Sequence, residues 1–452
     1  MTATTAELDR TPPGVTSWRV LPELQALRRD PLDWVLDRRA RWGDTFRLNP
    51  PLGILGPEFT WACGPDGIRD VLTAEEFEKG SPVYREMAGA LGDGLLTSQG
   101  DTWRAQRRTL QPLFTKKRVE RYAGAFAGAA ESVVADWRDG ALVDLAAEMQ
   151  LMSLRSVGVT LFGTDVTDQV EPIVTATDYL SERVVARGLS PIAIPRWVPT
   201  PEHRRLAAAQ HDLERRVDAL IAAQRDGAED RDDLVALLLH ATDPETGAPL
   251  TPVEVREQAL VFLLAGNDTT STALTFSLHL LARHPEVQDA VREEVWDTVA
   301  RCDLTAADAA RFELTRRVID EAMRLYPPAY ITSRLALRDT EVAGYPVTRG
   351  GVVATSFYAL HRNPGLWDDP ERFDPDRFLP AAVKERDRYG YLPFGGGPRS
   401  CIGNHFALLE ATLGVATVIG RYALELRTDH VPLNLGITLR PAAAVLAQVR
   451  AV

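Results

Sequence analysis

The sequence predicts a mainly α-helical fold with small β-sheets, an α+β architecture. Apolar residues recur with helical periodicity over most of the chain, which is typical of amphipathic helices. One helical segment, Thr251–Arg283, is far longer than the rest, and short alternating runs typical of strands occur near the start and in the C-terminal third. No repeat, linker or low-complexity tract divides the 452 residues, so we expect a single domain over residues 1–452, with residues 1–18 poorly ordered.

The first half of the chain predicts two strands and a series of helices. Thr45–Leu48 and Phe59–Ala62 alternate as strands, and a turn rich in proline and glycine joins them. Amphipathic helical patterns cover Pro31–Arg41, Asp101–Leu113, Lys116–Trp137, Asp144–Leu161, Thr167–Arg187, Glu202–Arg225 and Arg231–Ala241.

The second half predicts longer helices and a meander. Helical patterns cover Thr251–Arg283, Pro285–Arg301 and Leu314–Tyr326, and another helix follows Asn404. Short strands are expected within Val342–Thr355. Residues 363–393 are rich in proline, aspartate and arginine and carry few signals of regular structure.

Composition excludes several classes of protein. Cys63, Cys302 and Cys401 lie far apart and do not suggest a disulfide framework, which favours a reducing cytoplasm. No signal peptide is apparent, and no run of about 18 apolar residues could form a membrane anchor. The net charge of −12 argues against nucleic acid as a partner. We therefore expect a soluble, cytoplasmic protein, and we also expect it to be a monomer.

The decapeptide Phe394–Gly403 is the most informative segment. Its glycines allow the backbone to fold tightly around the single sulfur of Cys401, which stands just ahead of the predicted helix at Asn404. Unpaired amides and the positive dipole end of a helix favour a thiolate over a thiol. A buried free cysteine in a glycine-rich loop is the alternative.

The helix beginning at Thr251 changes character halfway along. Thr251, Pro252 and Glu254 form a strong start signal, with a capping threonine, proline at the first position and glutamate at the third. Residues 261–265 are apolar on all sides and predict a buried section, whereas residues 266–272 are mostly polar. Threonines can bend a helix and Gly266 removes bulk, so this section can open a groove for a small ligand. A threonine-rich helix with satisfied hydroxyls is the alternative.

Both segments carry family motifs. The decapeptide fits Phe-x-x-Gly-x-Arg-x-Cys-x-Gly at every defined position, and so resembles the haem-binding signature of the cytochrome P450 haem-thiolate monooxygenases. Residues 265–270 are similar to that family's oxygen-activation motif, with Asp268 as acid and Thr269 as alcohol. The resemblance implies haem b between the long helix and the cysteine-loop helix. It places Cys401 on the iron and these residues against the haem: Ala265, Gly266, Phe394 and Gly395.

Further matches extend the resemblance over most of residues 101–420. Glu321 and Arg324, together with Arg377 in the meander, resemble the family's buried ionic triad, although Glu-x-x-Arg alone is common on helices. Trp103 and Arg107 resemble the Trp-x-x-x-Arg motif that reaches a haem propionate, and Arg334 and Arg399 stand where relatives often supply further propionate contacts. An exposed arginine is the alternative for each of these cations.

The resemblance implies a dioxygen-dependent monooxygenase. Asp268 would relay protons and Thr269 would hold the bound oxygen. Electrons would come from a ferredoxin and ferredoxin reductase, or from a flavodoxin-type donor, since the sequence has no flavin or iron–sulfur segment. The expected docking face is a basic cluster, for which a solvated basic surface is the alternative: Arg104, Arg107, Arg108, Lys116, Lys117 and Arg118.

A lipophilic small molecule is the expected substrate. By family position the pocket is lined by Val261, Ala265, Ala329, Tyr330 and Ile331, all without charge. The runs 78–99 and 190–201 would border the pocket and its entrance. Fatty acid, terpenoid and polyketide remain open as substrate classes. A haem-thiolate gas sensor or electron carrier, and an isomerase, remain open as other functions.

Overall fold

The structure, a computed structural model, describes residues 11–51, 57–190, 194–223, 231–299 and 304–452. Cys302, residues 1–10 of the segment expected to be poorly ordered, and part of the entrance run 190–201 therefore lie outside the described residues.

Helices dominate the architecture. In chain order they are α1 Val20–Arg29, α2 Pro31–Trp42, α3 Pro65–Thr73, α4 Pro82–Leu91, α5 Gly100–Leu110, α6 Lys116–Val119, α7 Ala123–Val134, α8 Leu145–Phe162, α9 Val170–Gly188, α10 Pro201–Ala223, α11 Leu234–His240, α12 Pro252–Arg283, α13 Pro285–Thr298, α14 Ala306–Ala309, α15 Glu313–Leu325, α16 Phe357–Leu360, α17 Pro380–Glu385 and α18 Asn404–Arg421.

The strands are short and form small sheets. They are β1 Gly14–Thr16, β2 Thr45–Asn49, β3 Phe59–Ala62, β4 Phe77–Glu78, β5 Leu142–Asp144, β6 Ile331–Ala336, β7 Thr340–Val342, β8 Tyr345–Val347, β9 Val352–Ser356, β10 Tyr422–Leu426, β11 Leu433–Leu435, β12 Leu439–Pro441 and β13 Leu446–Ala451. The largest sheet has the order β1-β2-β3-β9-β6-β4, a second has β10-β13-β5, and β7-β8 and β11-β12 are hairpins.

Helix α12 runs through the centre of the molecule. Its 32 residues span about 48 Å at 1.5 Å per residue. The predicted capping box is present, because the Thr251 hydroxyl accepts from the Glu254 amide and the Glu254 carboxylate accepts from the Thr251 amide at 2.7 Å. From Leu260 to Ala282 the helix is largely buried, packed against α8, α15 and α18. The predicted burial is confirmed for residues 261–263, whereas Leu264 is partly buried and Ala265 is exposed.

Glu321, Arg324 and Arg377 come together beneath the meander. Arg324 Nε and Nη2 donate to the Glu321 carboxylate at 2.6 and 2.8 Å, and Arg377 Nε lies 3.4 Å from Glu321 Oε1. Arg324 also donates to the carbonyls of His361 and Pro370. Both Glu321 and Arg324 are fully buried. The cluster therefore links α15 structurally to the backbone of the meander.

Replacing Arg324 by leucine should destabilise the fold strongly. The change leaves the Glu321 carboxylate buried without its main partner, which typically costs about 3–5 kcal/mol of the free energy of unfolding. Arg316→Leu on the same helix is the control, because its pair with Asp320 is partly exposed and such pairs contribute about 0–1 kcal/mol. Urea unfolding of both variants measures the difference. Equal losses would show that the buried triad does not brace the meander.

The structure corrects several sequence-based boundaries. The segment 1–18 is regular at its end, where β1 pairs in parallel with β2. The helix predicted over Asp101–Leu113 ends at Leu110 and tightens into a 3-10 turn, because Pro112 has no amide N–H to continue it. The helix predicted over Lys116–Trp137 is divided into α6 and α7 by another 3-10 turn. Helices α3 and α4 were missed, although each begins with a proline at its first position.

Candidate active site

A cavity of about 1440 Å³ lies between the middle of α12 and the loop that carries Cys401. All the predicted site residues outside the ionic triad line it: Trp103, Arg107, Val261, Ala265, Gly266, Asp268, Thr269, Ala329, Tyr330, Ile331, Arg334, Phe394, Gly395, Arg399 and Cys401. Pockets for drug-sized ligands measure about 300–1,000 Å³. The cavity therefore has room for a large planar group together with a second molecule.

The loop around Cys401 depends on its glycines. The Cys401 amide donates to the Phe394 carbonyl at 2.9 Å and closes the loop. Gly395 and Gly397 both have φ +68°, and a Cβ at Gly397 would lie 2.1 Å from the Leu72 carbonyl oxygen. A side chain at Gly397 is thus excluded both by backbone conformation and by space. The loop holds Cys401 so that the residue is exposed and lines the cavity.

The sulfur experiences opposing electrostatic influences. Burial raises the pKa of the Cys401 thiol, while the Gly403 amide and the positive charges of Arg107 and Lys79 act in the opposite direction. In the protein alone burial is the stronger influence, so the expected preference for the thiolate does not come from the helix end by itself. A cation bound at the sulfur would remove the proton outright.

Thr269 and Asp268 occupy different environments on α12. The Thr269 hydroxyl donates to the Ala265 carbonyl at 2.6 Å and is open to the cavity. Asp268 is buried, and its Oδ1 accepts from Asn267 Nδ2 at 3.3 Å. Burial raises the pKa of Asp268 to about 6, Asp178 adds to the shift, and Arg440 and Asn267 oppose it. A carboxyl group in this range can exchange protons close to neutral pH.

An ion pair connects the neighbourhood of Asp268 with the surface. Arg440 on β12 pairs with Asp178 on α9, whose side chain is 40% exposed. Both charges act on the ionisation of the Asp268 carboxyl, Asp178 raising its pKa and Arg440 lowering it.

Three arginines face the cavity without a carboxylate partner among the described residues. Arg107 donates to the Ser400 carbonyl at 2.9 Å, Arg399 to the Ser98 carbonyl at 2.8 Å, and Arg334 to the Thr332 hydroxyl at 2.9 Å. The Arg399 guanidinium also lies 4.1 Å from the centre of the Trp103 ring. Arg334 is buried and the other two arginines are partly buried, and removing a cation from water is costly unless the cation is paired. Their convergence therefore fits a ligand that carries carboxylates at its edge.

Lys79 and Tyr84, which the sequence did not predict as site residues, also belong to this charged region. Lys79 Nζ donates to the Leu96 carbonyl at 3.2 Å and lies 5.1 Å from the centre of the Tyr84 ring. Burial lowers the pKa of Lys79 to about 8. Burial would raise the pKa of Tyr84, but the charges of Lys79 and Arg334 outweigh it and bring that pKa to about 8. No motif marks either residue; the run 78–99 that contains them was the only signal.

The predicted basic docking face is largely neutralised. Arg108 pairs with Asp243 at 2.7 Å and with Glu245 at 3.0 Å, and Arg118 lies 3.4 Å from Asp232. Arg104 and Lys116 also pair with carboxylates one turn away, and Arg107 faces the cavity. The fold thus brings distant carboxylates onto this surface, so the six residues do not form a continuous positive patch.

Glu86 holds the roof of the cavity together. From α4 its carboxylate accepts from Arg187 on α9 at 2.9 Å and from Arg196 at 3.0 Å. At the nearby mouth, Arg28 of α1 donates to the Leu189 carbonyl at 3.2 Å. These contacts fix α4 and α9 over the apolar part of the cavity.

Comparison with known proteins gives consistent matches. The sequence model of the cytochrome P450 family matches residues 12–446. The chain is 36% identical to cyclooctat-9-en-7-ol 5-monooxygenase of Streptomyces melanosporofaciens, over 92% of this chain and 89% of that protein. It is 33% identical to pentalenene oxygenase of Streptomyces avermitilis, over 90% and 89%. The crystal structure of the cytochrome P450DA heme domain superposes with a TM-score of 0.87 at 28% identity, covering 98% of both chains. Among the described residues, no helix is both long and apolar enough to cross a membrane.

Proposed function

Because the chain belongs to the cytochrome P450 family, we propose that it is a haem-thiolate monooxygenase that hydroxylates or epoxidises a lipophilic terpenoid. The matches confirm the predicted family, fold class and enzyme class. One observation carries the proposal: a single cavity is faced by Cys401 on one side and by Thr269 on the other, with unpaired cations at its edge.

The residues of the cavity fit haem b. Cys401 would ligate the iron, Arg107, Arg334, Arg399 and Lys79 would neutralise the two propionates, and Trp103 would donate its indole N–H. Ala265, Gly266, Phe394 and Gly395 would contact the ring faces. When bound, haem with a thiolate ligand supplies dioxygen activation and oxygen transfer to carbon.

The chain itself supplies protons and excludes water. Asp268 takes up a proton at its carboxylate from the Asp178–Arg440 side and passes it towards the groove of α12. The Thr269 hydroxyl, now bonded to the Ala265 carbonyl, can turn to donate into the cavity. Helices α4 and α9, joined through Glu86, close the cavity above the substrate.

The charges in the cavity favour a hydrocarbon-like substrate. Arg107, Arg334, Arg399 and Lys79 lie at the edge assigned to haem, whereas the substrate wall contains Leu91, Leu95, Val261, Phe262 and Ile331. The named activities of the two Streptomyces relatives, on cyclooctat-9-en-7-ol and pentalenene, support a terpenoid. A fatty acid is the second candidate, because the exposed Arg28 and Arg85 line the mouth and could bind a carboxylate.

Terpene hydrocarbons and alcohols should shift the haem spin state more strongly, and at lower concentration, than fatty acids of equal carbon number. Titration of the ferric protein followed by absorbance measures both. Arg28→Leu and Arg85→Leu should leave terpenoid binding unchanged, because neither side chain touches an uncharged ligand in the inner cavity. Tighter binding of fatty acids that is lost in these variants would instead establish the second candidate.

We propose ferredoxin and ferredoxin reductase as the electron donors, with a flavodoxin-type donor as the alternative, and a cytoplasmic monomer as the working form. Incorporation of oxygen from labelled dioxygen into product distinguishes this function from an isomerase, which incorporates none, and from a sensor or electron carrier, which forms no product. Absence of label in the product would exclude the proposed reaction.

A further inference from the structure

The tip of the β11-β12 hairpin forms part of the cavity wall on the side assigned to the substrate. Residues 436–438 of the tip all line the cavity. The Tyr330 hydroxyl donates to the Gly436 carbonyl at 3.0 Å, and the Leu439 amide donates to the Pro328 carbonyl at 2.9 Å. Strand β12 also contacts α12. The tip is therefore held in place beside the predicted pocket residues.

Ser181 on α9 faces this tip with a hydroxyl proton that has no acceptor. The residue is 2% exposed and lines the cavity. Its Oγ accepts from the Ile437 amide at 2.8 Å, and no atom among the described residues accepts from the hydroxyl. The approach is close, because a Cβ at Gly436 would lie 2.5 Å from Ser181 Oγ. Since a hydroxyl can donate while it accepts, Ser181 can still donate to a ligand in the cavity.

Thr438 carries a second unsatisfied hydroxyl, one residue after the amide that Ser181 binds. Thr438 is 8% exposed and lines the cavity, but its Oγ1 is buried in the wall and has no partner among the described residues. Buried hydroxyls nearly always have partners. Staggered side-chain positions lie about 120° apart, so one rotation about the Cα–Cβ bond exchanges the methyl group with the hydroxyl. The hydroxyl can thus turn towards a polar group in the cavity.

Many other hydroxyls of the cavity wall already have partners. These are the hydroxyls of Ser81, Tyr84, Thr160, Thr269, Thr332 and Ser333. A hydrocarbon that filled the cavity would exclude water and leave the hydroxyls of Ser181 and Thr438 without partners, which is costly. A ligand hydroxyl group at the hairpin tip would satisfy both.

We propose that Ser181 and Thr438 form a specificity subsite for a hydroxyl group that the substrate already carries. The substrate oxygen accepts from Ser181 Oγ, and the substrate O–H donates to Thr438 Oγ1. The substrate is then a terpenoid alcohol rather than a terpene hydrocarbon. A preceding reaction must introduce this oxygen, either by capture of water during a cyclisation or by an earlier oxygenation. The assignment of a terpenoid rests on the proposed function, whereas recognition of a hydroxyl group does not.

Binding of matched ligands tests the subsite. The probes are sesquiterpene alcohols that differ in the position of the hydroxyl group, namely cedrol, patchoulol and nerolidol, each compared with its parent hydrocarbon. Isothermal titration calorimetry of the haem-loaded protein measures the dissociation constants. At least one alcohol should bind about tenfold or more tightly than its hydrocarbon, because the hydrocarbon leaves buried hydroxyls unsatisfied. Equal affinity within all three pairs would overturn the proposal.

Thr438→Val identifies the residue responsible. The variant keeps the shape of the side chain and removes a hydroxyl that has no partner in the free protein, so it should melt no lower than the wild type. Its affinity for the preferred alcohol should fall about tenfold, and its affinity for the hydrocarbon should stay the same. Ser181→Ala should lose the same preference, although it also removes the acceptor of the Ile437 amide.

Thr177→Val is the matched control on α9. Its hydroxyl donates to the Val174 carbonyl at 3.0 Å and the residue does not line the cavity, so both affinities should stay at the wild-type values. An alcohol preference that survives in Thr438→Val, or that is lost equally in Thr177→Val, would refute the subsite. Binding is measured without an electron donor, so this result stands apart from a failure of the proposed oxygenation.

Discussion

Cys401→Ser should abolish the strongly red-shifted Soret band of the reduced carbon monoxide complex. Serine presents an alcohol, which ionises far less readily than a thiol and donates electrons to iron more weakly. The loop should survive, because the Cys401 amide bond to the Phe394 carbonyl does not involve the side chain. Absorbance spectra of the reduced protein with carbon monoxide measure the loss directly.

Cys63→Ser is the matched control for this change. Cys63 is completely buried, burial raises the pKa of its thiol, and it does not line the cavity. Its replacement should leave the red-shifted band in place. A band that survives in Cys401→Ser, or that is missing from the wild type, would contradict the assignment of Cys401 as the iron ligand.

Local motifs explain why much of the site was predictable. Residues 394–403 are contiguous, and their glycines, arginine and cysteine specify a loop geometry without help from distant residues. The start of α12 is likewise fixed locally by Thr251, Pro252 and Glu254. The change from an apolar to a polar sequence within one helix located Asp268 and Thr269. These features depend on near neighbours, so the sequence alone carries them.

Other features required the tertiary structure. Lys79 lies just before α4, and nothing in its local sequence marks a buried cation. Arg334 on β6 was expected from its family position, but its closeness to Lys79 follows only from the fold. Glu410 lies on an apolar helix, and the sequence predicts a surface position for its single glutamate. In the fold, α8 and α12 bury it. The pairing of the basic cluster could not be predicted for the same reason, since Asp243 and Asp232 pair with it from more than 110 positions away.

Thr269→Ala should uncouple oxygen consumption from product formation. A methyl group fits the groove, so the spectrum and the affinity for substrate should stay close to those of the wild type. The cavity then lacks the Thr269 hydroxyl, so consumption of reduced cofactor should continue while product falls and hydrogen peroxide rises. Thr275→Ala is the control, because that hydroxyl donates to the Ser271 carbonyl at 2.7 Å and Thr275 does not line the cavity. Tight coupling in Thr269→Ala would show that Thr269 is merely a satisfied helix hydroxyl.

Asp268→Asn should instead slow the whole cycle, by about 10²-fold if Asp268 acts as a general acid. The pKa of Asp268 is raised to about 6, so above that pH the protonated fraction falls tenfold with each unit. Wild-type turnover limited by this proton should therefore decrease as pH rises from 6 to 8, and the asparagine variant should lose that slope. Turnover across this range, at saturating substrate and electron donor, measures both. Asp268 and Thr269 differ in burial and partners. A slow but coupled Asp268→Asn, together with a fast but uncoupled Thr269→Ala, would show that Asp268 supplies the proton and that Thr269 positions it. Identical defects in both variants would contradict that division.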